Sequence, residues 1–558
     1  MARSLRPRMS RFAALAVGLL VLLPTLAGLC GTLLPAFGLL PVLGFTEPSL
    51  EPWRRLFAAP GTGRALVLAL LSGLGSTLLA LLLSLAIAAS THGRAGEARL
   101  RALLPFLLAL PHAAYAVAFA FLFAPSGLLV RLLAPALGLS RPPDLPTVND
   151  PWALSLTLAL ALRETPFLLF VLWAAADRAG LEHRLAAARC LGRDRVRAWL
   201  EIALPALWPS LRLPLLAVLA YGLSAVDMAL VLGPTAPPVF SVLVLRWFTD
   251  PDLDRRLEAS AGALLLVALA ALAALCGRGL EAACIRLSRG RPWPVALARV
   301  ADVAGRFAAV LLPALGLASG VVLLLWSLAG SWRFPAPWPT GFELAGWRWA
   351  GATLPGPLLT TVALAAGCAI GALLLVIGLL ERPRGGGRWV ALLWLPLLLP
   401  PIGFVFGLQL VWILLGLDER PWLALLWAHL LFVLPYLRLV LAGPWAGFDP
   451  RLRAAARSLG ARPRAVLARI VLPVLARPVL AALAVGVSVS AAQYLATLAA
   501  TGGRVATLAT ETLALFAGGD RRRVAVAALV LAAVPLAAAS AALFLPVPAE
   551  RARRGGRR

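Results

Sequence analysis

Twelve apolar runs, each about twenty residues long or more, dominate this sequence. They fall near 12–34, 65–90, 103–124, 152–176, 206–232, 259–277, 307–328, 357–380, 389–415, 423–447, 474–500 and 524–547. A bilayer core of about 30 Å takes about 20 apolar residues to cross as a helix. In lipid every backbone N–H and C=O must find its partner within the chain, so such runs become helices. A membrane barrel would show short alternating segments instead. Hydrophobic residues make up 61% of the 558 and charged residues only 14%, against about 25% charged in a soluble domain. A soluble enzyme, a disordered chain and a disulfide-built secreted domain are excluded. The expected fold class is an all-α integral membrane protein of about twelve transmembrane helices.

Charge gives these helices a direction. The net charge is +27, and all 52 basic residues are arginine. The arginines sit between apolar runs rather than on a soluble domain, so topology and lipid contact explain them better than nucleic acid. With the N-terminus inside, the cytoplasmic pieces hold 33 arginines and the opposite pieces 15. This twofold excess places both termini in the cytoplasm and supports the count of twelve. Arg3, Arg6, Arg8 and Arg11 precede the first run like the start of a signal peptide. That run is too long for one and has no clear cleavage site, so it reads as a retained first helix. The five cysteines are scattered without metal-ligand spacing.

An internal repeat divides the chain. Ala186–Pro205 reads AAARCLGRDRVRAWLEIALP, and Ala454–Pro473 reads AAARSLGARPRAVLARIVLP, 268 residues later. Ala186, Ala187, Ala188, Gly192, Ile202, Leu204 and Pro205 match Ala454, Ala455, Ala456, Gly460, Ile470, Leu472 and Pro473. The alanines favour helix, and the glycine allows a sharp turn or a close approach by another backbone. Arginines interleaved with Val196, Trp199, Val466 and Leu467 suit a helix at the membrane interface. Pro205 and Pro473 fit the first turn of the next span. The expected halves are 1–290, with its loop at 182–205, and 291–558, with its loop at 449–473. Six spans restore the starting orientation, so the halves run parallel.

The shared pattern A-A-x3-G-x9-I-x-L-P resembles the EAA motif of permease subunits in binding-protein-dependent ABC importers. The fused two-half layout is similar to the ferric-iron and thiamine permeases. In that family the loop is a coupling helix that docks into a groove of the ATPase subunit. The resemblance implies that docking role for the fourteen matched residues above. It also implies an extracytoplasmic solute-binding protein as partner and a bacterial inner-membrane location. One departure stands out: the motif's leading Glu is Ala186 in one half and Ala454 in the other. A phosphate-binding P-loop needs a lysine, and this chain has none. ATP and Mg are therefore expected on a separate ATPase, in two copies for two loops, with no cofactor, metal or catalytic residue on this chain. The stretch Leu71–Ser76 lies within an apolar span, where small residues serve helix packing.

Ionisable and polar groups at membrane depth are candidates for the translocation path: Arg163, Glu164, Asp227, His429, Gln493 and Tyr494. An offset of 266 pairs Ser224 with Ser490 and Asp227 with Gln493, one polar group in each half. The four histidines show no metal spacing. The expected function is therefore the membrane pathway of an ATP-driven importer for a small solute, with thiamine, ferric iron, a polyamine or a small oxyanion as candidates. The alternatives are an ion-coupled secondary transporter, whose transport would collapse with an uncoupler, and a membrane-embedded lipid-modifying enzyme, which should cluster His, Asp and Glu at one membrane face.

Overall fold

The computed structural model describes residues 15–288, 293–381 and 392–545. Arg3, Arg6, Arg8, Arg11, Arg289, Arg291, the arginines of 382–388 and those of 551–558 lie outside the described residues. Among the described residues the chain is helical, and the only β pairing is two isolated bridges, Leu40 with Phe45 and Ala329 with Phe342. Ten helices among the described residues are long and apolar enough to cross a membrane, or twelve if each of two bent pairs is one span.

In the first half these are α1 (Leu15–Ala36), α2 (Thr62–Thr91), α4 (His112–Leu137), which the apolar helix α3 (Ala95–Ala109) precedes, and α5 (Leu154–Ala179). The motif helix α6 (Glu182–Cys190) follows, then α7 (Arg195–Ser224), the short α8 (Asp227–Leu232) and α9 (Arg255–Ser288). The second half repeats this order. Its helices are α10 (Val295–Leu328), α11 (Pro355–Leu380), the pair α12 (Leu392–Leu398) and α13 (Ile402–Leu414), and α14 (Pro421–Ala446). Then come the motif helix α15 (Pro450–Ser458), α16 (Pro463–Val474), α17 (Ala476–Ala491), α18 (Leu495–Thr501) and α19 (Arg521–Phe544).

Several windows that read as single spans are broken. The window 103–124 divides at Leu110–Pro111, and 389–415 bends by 109° at Pro400–Pro401. A proline lacks the N–H of the helical ladder and pushes the preceding residue out of the helical region. The windows 206–232 and 474–500 also break, between Ser224 and Asp227 and between Ala491 and Leu495. The polar stretch after 500 contains the helix Leu508–Ala517. Thr507 and Thr510 form a reciprocal capping box at its start.

The first helix of each half leaves its own half. Helix α1 crosses α13 so closely that Cβ atoms at Gly28, Gly31 or Gly407 would overlap backbone of the facing helix. Helix α10 meets α2 the same way, Gly305 lying against the Ala86 carbonyl. Within the first half, Gly73 of α2 faces Gly222 of α7. Lipid gives apolar helices little reason to associate, so small residues that let backbones touch supply the packing.

Candidate functional site: two matched loops and a shared cavity

The two motif loops adopt one conformation. After α6 and α15 the chain reverses at Gly192 and Gly460, with φ of +81° and +79°. That left-handed conformation is costly for any residue with a Cβ. Both glycines face open space. The following helices start beyond Asp194 and Arg462, and the Asp194 carboxylate accepts the Arg197 N–H at 2.9 Å. Asp449 performs the same service at the front of α15, accepting from Arg451 N–H at 2.8 Å.

Pro205 and Pro473 do not open a new helix. Each follows one wide turn, at Trp199–Ala203 and Leu467–Val471, where the N–H of Leu204 or Leu472 reaches five residues back. That turn absorbs the missing proline N–H. In the first half the helix then runs on unbroken to Ser224, whereas in the second it ends at Val474 and the chain bends by 81° into Ala476–Ala491.

Each loop has an anchored face and a free face. Ala188, Val196, Ala456 and Val466 are buried, Ala186, Ile202, Leu204, Ile470, Leu472 and Pro473 are half-buried, and Ala187, Ala454, Ala455, Gly192, Gly460 and Pro205 are exposed. Beside the glycines stand Leu191 and Leu459, 84% and 87% exposed. The anchors differ. Glu201 pairs with Arg193 and Arg197 at 3.4 and 3.7 Å and accepts the Trp293 N–H at the head of α10. In the second loop Arg453 binds Glu381 at 2.6 Å, with Trp445 and Phe448 under its guanidinium. The position of the motif's leading Glu is filled by neither pair.

Between the halves lies a cavity of about 780 Å³. At its end nearest the motif helix α6, Arg101 forms a two-pronged bridge to Asp177 at 3.0 and 2.9 Å over the Trp173 ring. Its far end is the level of the helix breaks, and all four breaks reach it through Pro111, Val226, Pro401 and Ala492. Irregular backbone at membrane depth is tolerated where it lines a cavity.

Five of the six path candidates line this cavity: Arg163, Glu164, Asp227, Gln493 and Tyr494. His112, not singled out from sequence, joins them and bonds Glu164 Oε1 through Nε2 at 2.9 Å. Tyr221 donates its hydroxyl to Asp227 Oδ1 at 2.8 Å, and Arg163 donates to the Leu108 carbonyl at 3.2 Å, across the α3–α4 break. Adjacent on α5, Arg163 and Glu164 thus find partners on different elements rather than each other. His429 lies outside the cavity wall. It is 1% exposed and bridges Ser490 Oγ at 2.8 Å and Thr497 Oγ1 at 3.0 Å, tying α14 across the α17–α18 break. Phe167 and Tyr436 each follow the proline of their helix, Pro166 and Pro435. Their rings meet edge-on at 6.1 Å, on the line between the halves.

No family model matches the chain. The Inner membrane ABC transporter permease protein YnjC of Escherichia coli K12 is 32% identical over 496 residues, 88% of this chain and 89% of that protein. This chain belongs to the permeases of ABC transporters. Its two fused halves, each with one motif loop, are the layout of a single-chain permease, and the relative is named a transport protein rather than an enzyme. The Spermidine/putrescine transport system permease protein PotC is similar over a shorter stretch. The Escherichia coli K12 protein is 34% identical over 113 residues, 20% of this chain and 42% of PotC. The Haemophilus influenzae protein is 33% identical over 92 residues, 16% and 35%.

Proposed function

We propose that this permease is the membrane pathway of an ATP-driven importer. The reading rests chiefly on one observation: two loops with the same turn, each presenting an exposed leucine beside a left-handed glycine. An exposed apolar residue of that size, repeated at one offset, suits a partner with two equivalent sockets. The partner is an ATPase in two copies, carrying ATP and Mg. The loop side is then cytoplasmic, as are both termini, and the cavity opens inward. A solute-binding protein delivers a small solute to the opposite face of the inner membrane. Closure of the ATPase pair draws the loops together, and the halves 1–290 and 291–558 rock about the Phe167–Tyr436 contact to expose the cavity outward. ATP can shift this equilibrium only through contacts that differ between the two states. The names of the PotC relatives favour an organic cation over ferric iron or an oxyanion.

The test is Gly192→Trp with Gly460→Trp. Both positions face open space, so an indole there fills the partner's socket rather than the chain's interior. The double variant should abolish both ATPase association and uptake, the largest effect expected of any substitution here. If both persisted, the docking assignment would be wrong. The paired His112 and Glu164 at membrane depth favour a second reading, an ion-coupled secondary transporter. Uptake by the purified chain alone, without nucleotide and abolished by an uncoupler, would establish it in place of the first.

A further inference from the structure

The ionisable groups around the cavity are unevenly satisfied. Glu164 is bonded to His112, and the Arg163 guanidinium is turned to the Leu108 carbonyl with its Nε closed off from solvent. Asp227 is different. Both of its hydrogen bonds, from the Tyr221 hydroxyl and the Met228 N–H, fall on Oδ1. Among the described residues Oδ2 receives no hydrogen bond and neither oxygen forms an ion pair. A carboxylate oxygen left bare at membrane depth is expensive unless a cation joins it. The wall around it offers π faces, among them Tyr221, Tyr494, Phe167 and Tyr436, and such faces attract cations most strongly where water is scarce.

The geometry points to a binding site for a small organic monocation, its charged end at Asp227 Oδ2 and its body against Tyr221, Tyr494 and the Phe167–Tyr436 pair. This deepens the importer reading by naming the class of solute. The wall carries three arginines, Arg101, Arg163 and Arg477, beside the carboxylates of Glu164, Asp177 and Asp227. But each arginine already donates to a carboxylate or a carbonyl, whereas Asp227 Oδ2 is bare, so an oxyanion is the poorer fit at Asp227. A bare ferric ion wants several hard oxygens at once, and no group of three or more His, Cys, Asp or Glu suited to a metal exists among the described residues. The preference for one charge comes from the repeat: the counterpart of Asp227 in the second half is the neutral Gln493.

The site can be tested on the purified full chain in lipid nanodiscs, without ATPase or nucleotide. Binding of thiamine, choline and putrescine is compared with that of sulfate and phosphate. A monovalent organic cation should saturate while the anions do not. Asp227→Asn keeps the Oδ1 acceptor for Tyr221 and Met228, and it should weaken cation binding roughly 30-fold or more. Gln493→Asp, which adds a second carboxylate, should improve putrescine relative to the monocations, and it carries the test alone if Asp227→Asn folds poorly. Tighter anion binding, no saturable cation in the millimolar range, unchanged affinity in Asp227→Asn or no gain for putrescine in Gln493→Asp would overturn the site. ATP dependence is read separately on the complete assembly. Cation uptake without ATP removes the importer and leaves the site. ATP-driven uptake indifferent to Asp227→Asn removes the site and leaves the importer.

Discussion

The two halves share a backbone and not a chemistry. Their motif loops share the left-handed glycine turn and the wide helical turn, and helix breaks of both halves meet the same cavity. The first half fills its breaks with His112, Arg163, Glu164, Tyr221 and Asp227, while the second presents Gln493, Tyr494 and Tyr436. On the proposed function, duplication is retained where two equal partners would be met and abandoned where one asymmetric solute would pass. A symmetric wall would offer a charged solute two equal footholds, and one foothold gives it a defined orientation.

Three sets of substitutions break or sharpen this comparison, beyond the loop and cavity variants above. The largest stability effect should come from the loop anchors. Arg453→Ala leaves Glu381 without its partner where both side chains are mostly buried, at a cost of about 3 kcal/mol. In the first half Arg195→Ala removes a bond to the neutral His92 carbonyl, at a cost of about 1 kcal/mol. Denaturant unfolding of the two variants in detergent should separate them. Equal losses would mean that the anchors are equivalent after all.

The helix breaks come next. His429→Ala deletes two bonds that hold the second-half break, and about 2 kcal/mol is expected. In the first half the Ala225 carbonyl is held by the Ser241 hydroxyl at 2.9 Å, and Ser241→Ala should cost about 1 kcal/mol. A His429→Ala variant as stable as the parent would show that the second-half break needs no tie.

The smallest effect concerns acid. Burial disfavours the charged Asp150 carboxylate, but hydrogen bonds from Leu154, Ser155 and Trp152 outweigh it, and its pKa lies below the ordinary carboxylate value. A lowered folded-state pKa contributes stability that is complete above the unfolded value, about 4. That contribution is lost as pH falls through the folded value. The matching helix α14 begins after Arg420 with no side-chain cap. Acid should therefore loosen the start of α5 before that of α14. Asp150→Asn should flatten the acid limb of a stability–pH profile, and a profile identical to the parent would contradict the assignment.

Much of this was legible in the residues. All twelve windows overlap a span or a bent pair, because length and apolarity alone decide whether a helix can sit in lipid, although the third span, His112–Leu137, runs well past its window of 103–124. The duplicated loops were visible because a left-handed turn demands glycine at 192 and 460. The wide turns before Pro205 and Pro473 were missed, although the prolines are their signal: a helix can pass such a residue by lengthening one turn as well as by starting afresh. The breaks at Ser224–Asp227 and Ala491–Leu495 have no proline to announce them, and their apolar flanks read as continuous spans. His112 and His429 illustrate the remaining gap. Both sit in apolar helices, yet one faces the cavity and the other an internal helix contact.

By itself the sequence determined how many times the chain crosses, that it crosses as helix, and that it is built twice. These follow from local rules, since backbone hydrogen bonds close within four or five residues and apolarity is summed over twenty. Only the tertiary structure decided which polar side chains line the cavity, and that the first helix of each half packs on the other. Those outcomes depend on the rotation and crossing of helices hundreds of residues apart, set by small-residue contacts such as Gly28 with Gly407, which no local window contains.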